Sequence, residues 1–173
     1  VGIRIKNWFS LSNILFLLTL GFLVINQVPT ITNNFKKEGL NLESLNTGVI
    51  NSSPANQKVQ FPPPNGKAMA IFWSTTCGPC KLEMARLKTS VEEGKIPKLA
   101  LFAINPYETN SQIKRFLAEK NFPFTFIQDT GISQALNVQG TPTTVFIDNG
   151  KVISMKTGIS LTGIWDAEEF LKE

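Results

Sequence analysis

The 173-residue chain predicts an α/β fold, a mixed central sheet with helices on both faces, preceded by one N-terminal transmembrane helix. Three observations carry that prediction. Residues 68–73 are apolar throughout and run into Cys77-Gly78-Pro79-Cys80, after which apolar positions recur at helical spacing. Beyond them, β-type and helical stretches alternate, then close on a hairpin signal at Asp148-Asn149-Gly150 and a last helix. At the other end, residues 8–28 form an uncharged and mostly apolar run.

That run is long enough to cross a hydrocarbon layer of about 30 Å, which takes about twenty helical residues. No polar face shows at any period, which argues against a buried helix of a soluble domain. A cleavable signal peptide is the alternative. No small-residue cleavage site follows Ile25, where Asn26-Gln27-Val28-Pro29 comes instead, so a retained anchor is favoured. Arg4 and Lys6 precede the run, which predicts a single-pass protein with a cytoplasmic N-terminus and an exported domain, although Lys36 and Lys37 lie beyond it. Residues 29–57 are rich in Asn, Ser, Thr and Gly and read as a tether, with a short hairpin around Gly48-Val49-Ile50 and a formal glycosylation triplet at Asn51-Ser52-Ser53. The domains are thus 1–28 anchor, 29–57 tether and 58–173 folded domain.

Within the domain, residues 58–61 read as an edge strand ended by Pro62-Pro63-Pro64. The run 68–73 suits a central strand covered on both faces. Cys80, Met84, Leu87 and Val91 make one buried stripe of the next helix, which Gly94 ends. Residues 98–104 form the next strand, and a cap at Thr109, Asn110 or Ser111 opens a helix burying Ile113, Phe116 and Leu117. A third β run covers 122–127 and a short helix 132–136. Strands 143–147 and 151–155 flank the hairpin turn, and a helix from about 162 to 171 buries Ile164, Ala167 and Leu171.

The only two cysteines of the chain sit at the strand-to-helix junction. Pro79 suits the first helical turn, where its missing N–H has no partner to lose. Free N–H groups and the helix dipole favour negative charge there, so a thiolate at Cys77 is stabilised and its pKa falls. Two thiols one turn apart can close a disulfide reversibly. A structural staple over so short a loop would constrain little of the unfolded chain. A structural zinc site wants four Cys or His ligands, and the chain has two Cys and no His. No metal or cofactor is expected. The net charge of +4 is spread thinly with no basic stripe, which argues against nucleic acid.

Phe72-Trp73 before Cys77-Gly78-Pro79-Cys80-Lys81, together with Val138-Gln139-Gly140-Thr141-Pro142 leading to Asp148-Asn149-Gly150-Lys151, resembles the two signatures of the thioredoxin superfamily. The likeness covers roughly residues 58–173. With the apolar N-terminus and Lys81-Leu82-Glu83 after the second cysteine, it is most similar to the membrane-anchored TlpA/ResA-like branch of thiol-disulfide oxidoreductases. The resemblance implies a thioredoxin-like fold acting in the periplasm or outside the cell. It implies Cys77 as nucleophile, Cys80 as resolving thiol, and substrate contacts at Trp73, Gly78, Pro79, Thr141 and Pro142. Pro142 matches the cis-proline of the family, and the backbone of Thr141 would then face an incoming peptide. Thioredoxins keep an acid on the first strand where Ile71 stands here, and the position before the first cysteine, often Trp, is Thr76. Glu83 shares a helix face with Cys80 and matches an acid of the ResA-like branch. It is either an acid coupled to Cys80 or a solvated helix carboxylate, and both readings stand.

Implied partners are disulfide-bearing protein substrates, apocytochrome c among them, and a membrane electron donor of the thiol-disulfide interchange type. Gly-Pro is the dipeptide of thioredoxin itself, whose couple lies near about −270 mV, which favours the reducing direction. A disulfide oxidase or isomerase on the same site is the first alternative. A metal-delivery or assembly factor of the same fold is the second, weakened by the absence of His.

Overall fold

Strand β3 (Lys67–Phe72) divides the core by the alternation of its side chains. Met69 and Ile71, with Trp73 just beyond, point into one apolar cluster, and Ala68, Ala70 and Phe72 point into a second. The structure, a computed structural model, describes residues 11–51 and 57–172. β3 is the middle strand of a five-stranded sheet ordered β5-β4-β3-β6-β7, completed by β4 (Leu101–Ile104), β5 (Thr125–Ile127), β6 (Thr143–Asp148) and β7 (Lys151–Thr157). β3, β4 and β5 run parallel, and β6 and β7 add antiparallel.

The first cluster is covered by α2 (Gly78–Glu92), α3 (Asn110–Ala118) and α5 (Gly163–Leu171), which bury Met84 and Leu87, Ile113, and Ile164 with Leu171 respectively. The second is covered by the short α4 (Ile132–Ala135) and by a two-stranded ribbon of β1 (Leu45–Gly48) and β2 (Lys58–Phe61), which supplies the fully buried Phe61. Both faces of the sheet are therefore closed, as the apolar run at 68–73 requires.

The tether expected over 29–57 is not one in its described part. Helix α1 (Leu11–Lys37) continues straight through Pro29, which lacks the N–H that would bond back one turn. Tertiary contacts hold the helix beyond it: Asn33 Nδ2 donates to the Asn137 carbonyl at 3.2 Å, and Lys37 Nζ to that of Ala135 at 2.7 Å. Gly39, at φ +83°, then lets the chain turn onto the sheet, where its N–H donates to Val152 O. Ile50 is buried in the first cluster, and Asn51 is bonded through its side-chain amide to the backbone of Phe124, just before β5, and of Phe126 within it. The remainder of the glycosylation triplet lies outside the described residues, as do Arg4 and Lys6. Sequence composition missed this because small polar residues pair as well in a ribbon as they solvate in a linker.

Three smaller differences have local causes. The ribbon strand β2 pairs with β1 and not with the central sheet. The strand expected from 98 begins at Leu101, after a 3-10 turn at Lys98–Ala100. β5 begins at Thr125, because Pro123 has no N–H to give to a ladder.

Candidate active site

The register Phe72↔Thr143 and Thr143↔Thr157 brings three segments to one end of the sheet. These are residues 73–80, the loop through Thr141 and Pro142, and the loop after β7. Cys77 caps α2 with an extended backbone, and its sulfur accepts from the Cys80 N–H at 3.1 Å. Cys77 and Cys80 form a disulfide. The two sulfurs are not equivalent. Cys77 is half-buried, whereas Cys80 is fully buried in the first cluster. Gly78 and Pro79 are exposed beside them, and a Cβ at Gly78 would meet nothing within 4 Å, so an approaching chain has free access there.

One turn on from Cys80, Glu83 is 4% exposed. Thr144 Oγ1, on β6, donates to its Oε1 at 3.1 Å, while Oε2 has no partner among the described residues. Burial therefore raises the carboxyl pKa above its ordinary value, against the opposing pull of the Thr144 hydrogen bond and the Arg86 charge. The solvated-carboxylate reading of Glu83 does not survive this geometry.

A second carboxylate lies on the other side of the junction. Glu108, in the loop after β4, accepts from the Thr75 N–H at 2.8 Å, from the Thr75 hydroxyl and from Asn105 Nδ2. Asn105 Oδ1 in turn accepts from the N–H groups of Tyr107 and Glu108, at 3.0 and 3.1 Å. Desolvation pushes the Glu108 pKa up, but these donors and the Lys81 charge outweigh it and hold it below its ordinary value. The loop that carries Cys77 is thus pinned to the end of β4.

The Thr141–Pro142 bond is cis, Pro142 is buried and Thr141 half-exposed. The Gly158 N–H donates to Pro142 O at 2.8 Å, and Thr143 Oγ1 donates to Gly140 O at 2.7 Å, which fixes the loop from both sides. Trp73 departs from the sequence expectation of a substrate contact. It is fully buried, with its ring 5.2 Å from that of Phe116 and edge-on to Phe126 at 5.5 Å. Alternation along β3 aims it inward, so it supports the junction from below and does not line the surface.

A family model, AhpC/TSA, matches residues 50–155, which takes in the cysteine pair, both carboxylates and the cis-proline loop. The chain belongs to the AhpC/TSA family. Its relatives include the thiol-disulfide oxidoreductase ResA of Halalkalibacterium halodurans, 29% identical over 97 residues. That match spans 54% of this chain and 55% of the relative, so this chain covers little more than half of ResA's length. The thioredoxin-like protein YneN of Bacillus subtilis is 26% identical over 154 residues, 86% of this chain and 88% of YneN. Among solved structures, StoA from Bacillus subtilis superposes with a TM-score of 0.63 at 16% identity, over 75% of this chain and 97% of StoA, which shows the thioredoxin-like fold.

The AhpC/TSA match begins at residue 50, at the buried Ile50, and not at 58 where composition changes. Two residues of this family member's site escaped the sequence reading. Thr144 follows the strand alternation and faces Glu83, a pairing that only the β6 register reveals. Glu108 had one available signal, an acid closely following a strand end, and nothing in the sequence tied it to Thr75.

Proposed function

We propose that the chain is a membrane-anchored thiol-disulfide oxidoreductase that reduces protein disulfides outside the cytoplasm. The asymmetry of the Cys77–Cys80 disulfide carries this reading: one sulfur is reachable at a helix N-terminus and the other is shielded. The names of the ResA relatives support the activity. α1, with mean hydropathy 2.0 over its most apolar window and that window wholly outside the core, supports the anchor.

In the reduced protein, Cys77 is the thiolate, stabilised by the α2 N-terminus and the Cys80 N–H. It attacks one sulfur of the substrate disulfide, forming a mixed disulfide and releasing the other sulfur as a thiolate. Cys80 then loses its proton and attacks the Cys77 sulfur, which forms the internal disulfide and expels the second substrate thiolate. Two electrons pass from the protein to the substrate, and two substrate thiols result. Glu83 is on the same helix face as Cys80, and its raised pKa suits it to take the proton that Cys80 must lose. Gly78, Pro79 and the backbone at Thr141 offer the surface for the substrate peptide. A membrane electron donor of the thiol-disulfide interchange type would return the electrons, and apocytochrome c, with a CxxCH disulfide, is one substrate of suitable chemistry.

Equilibrating the protein with dithiothreitol buffers tests the direction. A potential near about −270 mV agrees with a reductant, and one near about −120 mV would make it an oxidant. A membrane-impermeant thiol reagent tests the topology. It labels reduced Cys77 in cells whose outer barrier is opened, and labelling only after lysis would contradict an exported domain.

A further inference from the structure

The redox end of the sheet is also the end from which α1 leaves the domain. α1 runs antiparallel to β7. Gly39 and Leu40, just past its last turn, bond to Val152, and Asn34 meets the Thr157 hydroxyl at 3.3 Å. Thr157 is paired with Thr143, and Thr143 with Phe72, so the strand ends beside Cys77 and Pro142 lie on the side toward which the rest of α1 points. The span from Asn34 back to Val28, where the apolar run ends, is about 9 Å of helix at about 1.5 Å per residue. A headgroup layer is about 5–8 Å deep on each side of the hydrocarbon. Whatever projects beyond Thr157 at this end therefore reaches headgroup depth.

What projects there is an uncharged loop. From Thr157 to Trp165 the chain has no ionisable side chain, and the flanking Lys156 and Asp166 neutralise each other at 2.7 Å. Ile159, Leu161 and Trp165 are 52%, 84% and 67% exposed, although single exposed apolar residues are ordinary and a cluster at one end is not. Arg86 Nη2 lies 3.4 Å from the Leu161 carbonyl and sets a cation beside this loop. Trp with aliphatic neighbours and a nearby Arg is the composition that membrane interfaces favour.

We propose that Ile159, Leu161 and Trp165 seat in the interfacial layer of the bilayer that α1 crosses, holding the Cys77–Cys80 end of the domain against the membrane. This rests on the reading of α1 as an anchor. It makes the anchor a rigid mount, and it restricts the exchange partners to proteins that present a thiol or disulfide at the membrane surface.

The full chain has three tryptophans: Trp8 at the start of the apolar run, the core Trp73, and Trp165. Reconstituted into vesicles of phosphatidylcholine brominated on its acyl chains, each lipid-contacting tryptophan loses emission relative to the unbrominated lipid. Trp165→Phe, which keeps Trp8, reads the anchor, and Trp8→Phe, which keeps Trp165, reads the loop. Both are expected to be quenched, and the double variant, left with Trp73, to be unquenched and still folded. Quenching of Trp165→Phe without quenching of Trp8→Phe overturns the loop proposal and leaves the anchor standing. Quenching of neither overturns both. Quenching that persists in the double variant assigns the signal to Trp73 and also overturns the loop proposal.

Discussion

Two carboxylates flank one disulfide and are set in opposite directions. Glu83 is sealed between α2, β6 and α5 with one hydrogen-bond donor and an oxygen that has none among the described residues, and its pKa is raised by burial. Glu108 stands in a loop with Thr75 and Asn105 donating to it and Lys81 nearby, and its pKa is lowered although burial alone would raise it. The same functional group has its pKa raised in one place and lowered in the other. The number of donors decides, and distance along the chain from the cysteines does not.

The contrast presupposes that the proton at issue belongs to Cys80, so the largest effect lies at the cysteines. Cys77→Ser and Cys80→Ser should both abolish turnover of a disulfide substrate. Only Cys80→Ser should accumulate mixed disulfides on a non-reducing gel, because Cys77 is the accessible sulfur. Equal trapping by both would erase the assigned roles.

Glu83→Gln comes next. Loss of a positioned general base costs on the order of 10²-fold in the resolving step near neutral pH, and the variant should lose the acid limb of the pH–rate profile. Stability gives an independent check. A raised folded-state pKa stabilises the fold most below the ordinary value of 4.5, and that contribution is lost as pH rises through the folded value. The Tm of Glu83→Gln relative to the parent should therefore increase with pH, and a constant difference would show that Glu83 is not held neutral.

For Glu108→Gln the pH dependence reverses. A lowered folded-state pKa contributes stability above the ordinary value of 4.5, lost as pH falls through the folded value. The variant should be less stable at pH 7 by about 1 kcal/mol, discounted for partial exposure, with the deficit closing in acid. Its turnover should fall only a few-fold, since Glu108 acts through the loop. A loss as large as that of Glu83→Gln would make it a proton carrier as well.

Thr144→Val is the smallest change. Removing the one donor to Glu83 pushes that carboxyl further up, and the acid limb should move toward alkaline pH. An unmoved limb would detach the profile from Glu83.

The sequence by itself determined the parts whose signals are local. The apolar run into Cys77-Gly78-Pro79-Cys80 dictated a strand, a cap and a helix, because strand burial, the Pro at the first turn and the helical stripe are written within about twenty residues. Asp148-Asn149-Gly150 dictated the hairpin, with Asn149 and Gly150 at positive φ. Only the tertiary structure decided what depends on register and docking. Residues 29–37 are helical because distant carbonyls at Ala135 and Asn137 hold them, against the propensity of Pro29. Trp73 is buried because its strand has rings above it from α3 and β5. Glu83 and Glu108 differ because segments 61 and 33 residues away in sequence bring, or fail to bring, donors to their oxygens. A carboxylate's protonation is a property of its neighbours, and long-range neighbours are what a linear reading lacks.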